Sequence, residues 1–250
     1  MNNVKKSIGW ADYTINPVKG LCPVDCKDNQ GKSYCYARRM YKRFKWNPEI
    51  RYDDSVFPRF PSGSRVFIGS TMELFGSWVK PEWLKNIFAD CQANPNATFI
   101  FLTKQPQNLP LEFPPNCWVG FSLFDAEKQR DWGFSFVEVE ASVKFLSFEP
   151  LLNIPNWWNA YLLAESFKRA GINWVIIGCQ TPLSEKTLPK IEWIMEIVEA
   201  CDKAKIPIFI KNNLMPLVES CMECGACAKQ FKIEGLLLDD DYKLRQEFPK

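Results

Sequence analysis

The sequence predicts an α/β protein whose strands form a partial (β/α)6-type barrel. Short hydrophobic runs rich in β-branched and aromatic residues recur along the chain, and most are followed by a stretch with helical periodicity. Several runs are hydrophobic at nearly every position, as strands of a parallel sheet covered on both faces are. Alternating strands and helices build right-handed βαβ units. The chain has 250 residues, 46% of them hydrophobic, which suffices for a large core.

Seven strands and five helices are predicted in order. The strands are at residues 8–15, 66–70, 99–103, 118–122, 144–147, 174–178 and 208–211. The helices are at residues 36–44, 81–93, 125–136, 157–170 and 189–203. Pro81 and Pro189 stand where the first turn of a helix accepts proline, and Gly171 stands where a helix ends. In such folds the chemistry lies beyond the carboxyl ends of the strands, so functional residues are expected in the loops that follow them.

The composition excludes several classes of protein. The chain has no histidine, which excludes a histidine-ligated zinc ion, a histidine general base and any nucleophile paired with histidine. The net charge is +2, and no apolar run approaches the ~18 residues of a membrane span. The N-terminal stretch lacks the apolar core of a signal peptide, so we expect a cytoplasmic protein with no membrane contact. Ten cysteines in a cytoplasmic chain predict metal ligands or redox groups.

The loop at residues 20–35 carries three cysteines, Cys22, Cys26 and Cys35, and leads into a basic, aromatic helix. Three thiolates are too many for one disulfide and too few to close a tetrahedral metal site. A [4Fe–4S] cluster has four irons, so three cysteines would leave one iron open to a small molecule. The alternative is a zinc-bound loop whose fourth ligand lies elsewhere. The placement of the loop after the first strand and before a helix favours the cluster.

The Cys22-x3-Cys26 spacing, with an aromatic residue just before Cys35, resembles the cysteine loop of radical S-adenosylmethionine (SAM) enzymes. The stretch SYCYA also resembles the cysteine loop of spore photoproduct lyases. Radical SAM loops usually read C-x3-C-x2-C, whereas here the eight residues KDNQGKSY separate Cys26 from Cys35. We expect this polar insertion to bulge out without displacing the sulfurs.

Six further stretches resemble, in order, a phage-associated three-Cys-motif family of unknown function that is related to radical SAM proteins. They are VFIGSTMELFG, FIFLTKQP, LPLEFPPNCWVGFSL, VKFLSFEPLL, INWVIIGCQT and IPIFIKNNL. The resemblance runs from about Gly9 to Leu214. It therefore implies a radical SAM-like TIM-barrel domain at residues 1–214, followed by a Cys-rich C-terminal extension at residues 215–250.

The resemblance implies a [4Fe–4S] cluster that binds SAM at its open iron. It also implies an external electron donor, whose electron cleaves SAM and starts radical chemistry on a substrate. A methyltransferase-like three-Cys-motif protein is the partner that it implies.

Four residues that follow predicted strands are expected to bind SAM: Thr71, Glu73, Lys104 and Ser122. In radical SAM barrels a carboxylate after the second strand commonly holds the SAM amino group, and Glu73 suits that role. The alternative for Glu73 is a helix start favoured by the helix dipole. Lys104 and Ser122 end the third and fourth strands, where they would contact the SAM carboxylate or ribose.

Glu149 and Lys211 are the predicted catalytic residues. Glu149 follows the fifth strand, where it would hydrogen-bond a ribose or the substrate, or simply cap a turn. Lys211 ends the last strand, where it would bind an anionic group of the substrate or donate a proton. An ordinary surface lysine is the alternative there.

The C-terminal motif Cys221-x2-Cys224-x2-Cys227 has the spacing of a ferredoxin cluster loop. It predicts a second iron–sulfur cluster or a zinc ion, with Cys179 at the end of the sixth strand as the fourth ligand. The other three cysteines are expected to be ordinary buried thiols. They are Cys91, Cys117 and Cys201.

Cations and aromatic residues alternate along residues 36–51, a pattern that predicts contact with a nucleic acid. A solvated helix is the alternative. The sequence therefore predicts a radical SAM enzyme that acts on a nucleic acid or a nucleotide-derived molecule. The alternatives are a non-enzymatic iron–sulfur or zinc protein that binds a nucleic acid or a partner protein, and an electron-transfer or scaffold subunit.

Overall fold

The computed structural model describes residues 2–5, 7–28, 30–129, 131–224 and 233–249. The chain forms two compact units. The first comprises residues 1–121 and 138–143, and the second comprises residues 122–137 and 144–250.

The first unit is built on a mostly parallel sheet. Its strands are β1 (Asn2–Asn3), β2 (Tyr13–Ile15), β3 (Val18–Lys19), β4 (Arg51–Tyr52), β5 (Arg65–Ile68), β6 (Thr98–Thr103) and β7 (Cys117–Ser122), whose last residue belongs to the second unit. Strands β2, β5, β6 and β7 lie side by side and parallel, and β1 pairs antiparallel with β2. Strands β3 and β4 form a separate antiparallel pair. The helices are α1 (Tyr36–Phe44) and α2 (Pro81–Gln92).

The second unit also has parallel strands. They are β8 (Val143–Phe148), whose first residue belongs to the first unit, β9 (Trp174–Ile177) and β10 (Ile208–Ile210), with β9 parallel to both others. Its helices are α3 (Trp132–Val137), α4 (Ala160–Ala170), α5 (Ile191–Ala204), α6 (Met215–Glu223) and α7 (Ile233–Leu236). The chain after α7 lies along β10, where Ile210 N donates to Arg245 O (2.8 Å) and Glu247 N donates to Ile208 O (2.8 Å).

Phenylalanine rings form much of the core of the first unit. Phe101 on β6 is fully buried, and its ring centroid lies 6.1 Å from that of Phe75, 5.6 Å from Phe88 and 6.0 Å from Phe113. Such tilted and edge-on aromatic contacts add stabilisation beyond the area they bury. Phe75 lies in the segment after β5 that carries Thr71 and Glu73. The aromatic cluster therefore fixes one end of that segment against the sheet.

The elements confirm the predicted α/β class and its parallel strands, and the helix at residues 36–44 is confirmed at both ends. The predicted strand at residues 8–15 is too long. Only its last three residues form β2, because Ser7 N and Ile8 N both donate to Val4 O in a turn and Gly9 has a positive φ of 83°. Closure of the strands into a partial barrel stays a prediction. None of the described helices is long and apolar enough to cross a membrane.

The predicted helix at residues 125–136 begins later, at Trp132. The Gln129 side chain accepts hydrogen bonds from Phe124 N and Asp125 N, both at 3.0 Å. A local side-chain acceptor of this kind competes with the helical pattern and holds residues 124–129 in turns. Arg130, within the predicted helix, lies outside the described residues.

Candidate functional site

The cysteine loop of the first unit contains a hairpin-like excursion. Lys27 and Ser33 form an antiparallel bridge, and Tyr34 N donates to Cys26 O at 3.0 Å. Within the excursion, the Asp28 carboxylate accepts from two backbone amides at 2.9 Å each. The two ends of the eight-residue insertion between Cys26 and Cys35 therefore lie side by side, so the insertion bulges out as expected.

Cys26 and Cys35 interact directly across the neck of this excursion. The Cys26 thiol donates to the Cys35 sulfur, which lowers the pKa of Cys35 to about 6 and raises that of Cys26 well above its usual range. Cys35 immediately precedes α1, and the amides of Ala37 and Arg38 at the start of that helix lower its pKa further. The loop therefore favours a thiolate at Cys35.

Cys22 completes the predicted set. Its side chain is buried, its sulfur accepts from Glu73 N at 3.4 Å, and burial raises its pKa. The three sulfurs influence one another electrostatically. Among the described residues, however, no group of three or more cysteine, aspartate or glutamate side chains is already arranged as a metal site. The structure thus brings Cys26 and Cys35 into contact, with Cys22 near them.

Two arginines of α1 hold the cysteine loop in place. Arg38 Nη2 donates to Cys22 O at 2.9 Å, and Arg38 Nε lies 3.8 Å from a carboxylate oxygen of Asp25. Arg39 Nη1 donates to Tyr34 O at 3.0 Å. A guanidinium has several donors in a fixed plane, so it can hold several loop carbonyls at once. The sequence pattern gave no sign of this structural role for either arginine.

Glu73 is buried, only 7% exposed. Its Oε1 accepts from Phe75 N (3.1 Å) and from the Thr103 hydroxyl (2.8 Å), and its Oε2 accepts from Lys104 N (2.7 Å). Hydrogen bonds to a charged acceptor are stronger than those between neutral groups. The carboxylate therefore ties the segment after β5 to the carboxyl end of β6, which is where the predicted SAM-binding residues lie.

Thr71 is held by a residue that the sequence did not single out. The side-chain oxygen of Asn16, which follows β2, accepts from both the backbone N and the hydroxyl of Thr71, each at 2.9 Å. The Tyr36 hydroxyl donates to Ser70 O at 2.9 Å and links α1 to the same segment. Asn16 obeys the rule that predicted the other residues, because it is a polar residue at a strand's carboxyl end.

Lys104 lies in the first unit, half-buried, and its charge lowers the pKa of the Cys26 thiol, although other groups outweigh it. A cation is therefore present near the cysteine loop, and its role in binding the SAM carboxylate stays a prediction. Ser122 lies in the second unit at the end of β7. It is buried, and its hydroxyl donates to Glu149 O at 3.3 Å.

Glu149 and Lys211 form an ion pair in the second unit, with side chains 23% and 14% exposed. Gly178 makes room for it. A Cβ built at Gly178 would lie 3.0 Å from Lys211 Cδ and 3.3 Å from the Glu149 side chain. The predicted catalytic residues are thus brought together, and Lys211 is not an ordinary surface lysine.

We expect the Lys211→Ala variant to lose about 2–3 kcal/mol of its free energy of unfolding, because the Glu149 carboxylate would stay largely buried without its cation. The matched control is Lys168→Ala. Lys168 pairs with Glu165 on the surface of α4, with both side chains about half exposed, so its loss is expected to stay below about 0.5 kcal/mol. Urea denaturation measures both values. Equal effects for the two variants would contradict this account.

Cys179 is engaged with Asn213. Its thiol donates to Asn213 O at 3.0 Å, and Asn213 Nδ2 donates to Cys179 O at 2.9 Å. Burial raises the pKa of Cys179 to about 11. In the tail motif, Cys221 is half-buried near Cys224 and Glu192, and Cys224 is exposed. Cys227 lies outside the described residues, so a second metal centre stays a prediction. The three remaining cysteines are buried, as expected. They are Cys91, Cys117 and Cys201.

Comparison with known proteins places the chain in a family. Residues 5–235 match the model of a family described as a protein of unknown function, DUF5131. The chain belongs to the DUF5131 family. No curated protein matches this DUF5131 chain. Among solved structures, it is similar to a spore photoproduct lyase mutant with bound AdoMet and a dinucleoside spore photoproduct, at 16% identity and a TM-score of 0.49. The similarity covers 74% of this chain and 60% of that chain, so this chain spans less than two thirds of its length.

Proposed function

We propose that this chain is a radical SAM enzyme that acts on a nucleic acid or a nucleotide-derived molecule. Its [4Fe–4S] cluster would be held by Cys22, Cys26 and Cys35. The observation that carries the proposal is the contact between Cys26 and Cys35 at the start of α1, with Cys22 near both. A partial (β/α) barrel would be the scaffold.

The chemistry of the donor set fits such a cluster. The three proposed ligands are all cysteines, and the chain has no histidine to offer in their place. Soft thiolates are the ligands that iron–sulfur clusters use. The lowered pKa of Cys35 provides the deprotonated form that a metal requires. Glu73 N already donates to the Cys22 sulfur, and hydrogen bonds of this kind tune the potential of a cluster.

When bound, the cluster supplies one electron for the reductive cleavage of SAM, which yields methionine and the 5′-deoxyadenosyl radical. An external donor must deliver that electron. The chain's own residues would bind SAM and orient it. Lys104 provides a positive charge for the SAM carboxylate, and Thr71 and Glu73 lie in the segment proposed to hold its amino group. Because Glu73 already accepts three hydrogen bonds, its main contribution is a fixed negative charge that attracts the ammonium.

Glu149 and Lys211, both in the second unit, are the proposed catalytic pair. A lysine held by a carboxylate is a positioned cation that can bind an anionic group such as a phosphate, and it can donate a proton. Ser122 donates to the backbone of Glu149 and so helps to position it. The tail cysteines and Cys179 are proposed to hold a second iron–sulfur cluster or a zinc ion. A methyltransferase-like three-Cys-motif protein is the proposed partner.

Metal analysis separates this proposal from a non-enzymatic zinc protein. After anaerobic reconstitution, we expect about four irons and four sulfides per chain for one cluster, with absorbance near 400 nm that bleaches when dithionite is added. A colourless protein that takes up zinc but no sulfide under the same conditions would overturn the enzyme proposal and favour the binding protein.

A further inference from the structure

The C-terminal end of α1 is strongly basic. Between Asp28 and Glu49 the sequence contains no acidic residue, although the whole chain has 31 basic and 29 acidic residues. The interval contains six cations, which are Lys32, Arg38, Arg39, Lys42, Arg43 and Lys45. A nearly neutral chain therefore concentrates positive charge on one helix and its flanks, and such a local field attracts polyanions.

Two of these cations hold the cysteine loop, as described above, and three others face solvent. Lys42, Arg43 and Lys45 are exposed. Within the part of the chain that the structure describes, none of the three forms an ion pair with a carboxylate. Their charges are therefore available to phosphate groups.

Two aromatic rings lie exposed among these cations. Phe44 and Trp46 are 49% and 45% exposed, and their rings stack with centroids 5.6 Å apart and an interplanar angle of 21°. The guanidinium carbon of Arg43 lies 5.3 Å from the Phe44 centroid. Tyr41 meets Trp46 edge-on, with centroids 5.3 Å apart, and Tyr41 itself accepts a hydrogen bond from Gly20 N. The stacked pair is thus held by Tyr41 and Arg43, and about half of each side chain stays exposed to solvent.

The turn that produces this stack is strained. Lys45 adopts a left-handed conformation with a φ of 50°, a position at helix ends where glycine is usual. The left-handed residue reverses the chain, so that Trp46 folds back onto Phe44. A lysine in this conformation keeps a cation beside the two rings, at a cost in backbone strain that glycine would not have.

We propose that the surface formed by Lys42, Arg43, Phe44, Lys45 and Trp46 binds single-stranded nucleic acid. The cations would neutralise phosphates, and the exposed parts of the two rings would pack against bases, as aromatic residues do in known single-strand binding surfaces. A duplex is a poorer fit, because its bases are already stacked on one another. An anionic membrane is also a poorer fit, because the exposed residues of α1 include no aliphatic side chain.

This inference adds a binding surface to the proposed function, and it rests on that function only for the identity of the substrate. The rise of an α-helix, ~1.5 Å per residue, places Phe44 roughly 13 Å along α1 from Cys35. At ~3.4 Å per stacked nucleotide, a strand docked on the rings would present a base about four nucleotides away to the cysteine loop. The binding test needs neither cluster nor SAM, so its failure is distinguishable from failure of the radical chemistry.

The test is fluorescence anisotropy of the full chain with a labelled 12-nucleotide oligo-dT strand, the corresponding duplex, and vesicles of 70% phosphatidylcholine and 30% phosphatidylserine. We expect the single strand to bind more tightly than the duplex, with no vesicle binding at the same protein concentration. The Phe44→Ala/Trp46→Ala variant should bind about tenfold more weakly with an unchanged salt dependence. A plot of log affinity against log salt has a negative slope, and the Lys42→Ala/Arg43→Ala/Lys45→Ala variant should reduce the magnitude of that slope by about 2.

A matched pair of glycine variants separates the effect of losing a cation from the effect of relieving backbone strain. Lys45→Gly removes a cation and relieves the strained turn, so it should weaken binding while leaving the thermal midpoint unchanged or higher. Lys205→Gly is the control, because Lys205 is an exposed lysine with a φ of 58° at the end of α5. Glycine would relieve backbone strain there in the same way. This variant should leave binding unchanged. Failure of the wild-type chain to bind the strand, equal affinity of all variants, or binding to vesicles alone would overturn the proposal.

Discussion

Replacing Cys35 with serine is expected to lower the iron content of the reconstituted protein at least tenfold when it is made in a parent chain whose Cys221, Cys224 and Cys227 are already serine, so that only the loop cluster can form. Cys35 is the sulfur that the Cys26 thiol and the start of α1 hold in its thiolate form, and a serine hydroxyl stays protonated at neutral pH. Serine variants of Cys22 and Cys26 should lose iron similarly, because a cluster with only two protein ligands is degraded. Iron and acid-labile sulfide assays after anaerobic reconstitution measure the loss.

Cys201→Ser is the matched control for these variants. Cys201 is fully buried in α5 and has no proposed role, so this variant tests whether loss of any thiol perturbs the protein enough to release iron. Made in the same parent chain, it should leave the iron content per folded chain unchanged. Unchanged iron in all three loop variants would exclude the proposed ligand set.

The Glu73→Ala variant is expected to lose about 4 kcal/mol of its free energy of unfolding. Removal of the carboxylate leaves three buried donors without their acceptor, and hydrogen bonds to a charged group contribute about 1.5–3 kcal/mol each. For a chain of this size, such a loss lowers the thermal midpoint by about 10 °C. Differential scanning calorimetry measures the shift, with Glu165→Ala on the surface of α4 as the control that should shift little.

The Glu73→Gln variant separates the folding role of this residue from its proposed role toward SAM. Glutamine keeps a carbonyl oxygen for two of the three donors, so we expect a smaller loss of stability, about 1–2 kcal/mol. It removes the negative charge, so SAM binding to the folded, cluster-loaded protein should weaken about tenfold. Unchanged SAM affinity would mean that Glu73 serves the fold alone.

The strands and helices were largely predictable because their signals are local. Near-continuous hydrophobic runs predicted β5 through β10, and Pro81 and Gly171 marked helix ends correctly to within one residue. The strand at residues 8–15 was predicted too long because a backbone turn precedes it, and the helix at residues 125–136 was predicted too early because a side chain bonds to nearby backbone. Gln129 holds a turn where helical periodicity predicted a helix, and nothing in the spacing of hydrophobic residues reports that bond.

The site was predictable in its residue types but less so in its contacts. Strand-end positions identified Glu149 and Lys211, yet the sequence could not show that Gly178 makes room for their ion pair. Glu73 was predicted as an anion for a ligand, whereas the structure shows that neighbouring backbone donors already surround it. The cations at residues 38–45 looked equivalent in sequence. Only the fold shows that Arg38 holds loop carbonyls while Lys42 and Lys45 face solvent.

The most direct test of the central claim is the detection of 5′-deoxyadenosine by liquid chromatography and mass spectrometry. Anaerobically reconstituted protein is incubated with SAM and dithionite, with and without a single-stranded oligonucleotide, and Cys35→Ser serves as the inactive control. We predict that the wild-type chain produces 5′-deoxyadenosine and methionine in equal amounts and that the variant produces neither. A cluster-loaded wild-type chain that leaves SAM intact under both conditions would contradict the assignment of this chain as a radical SAM enzyme.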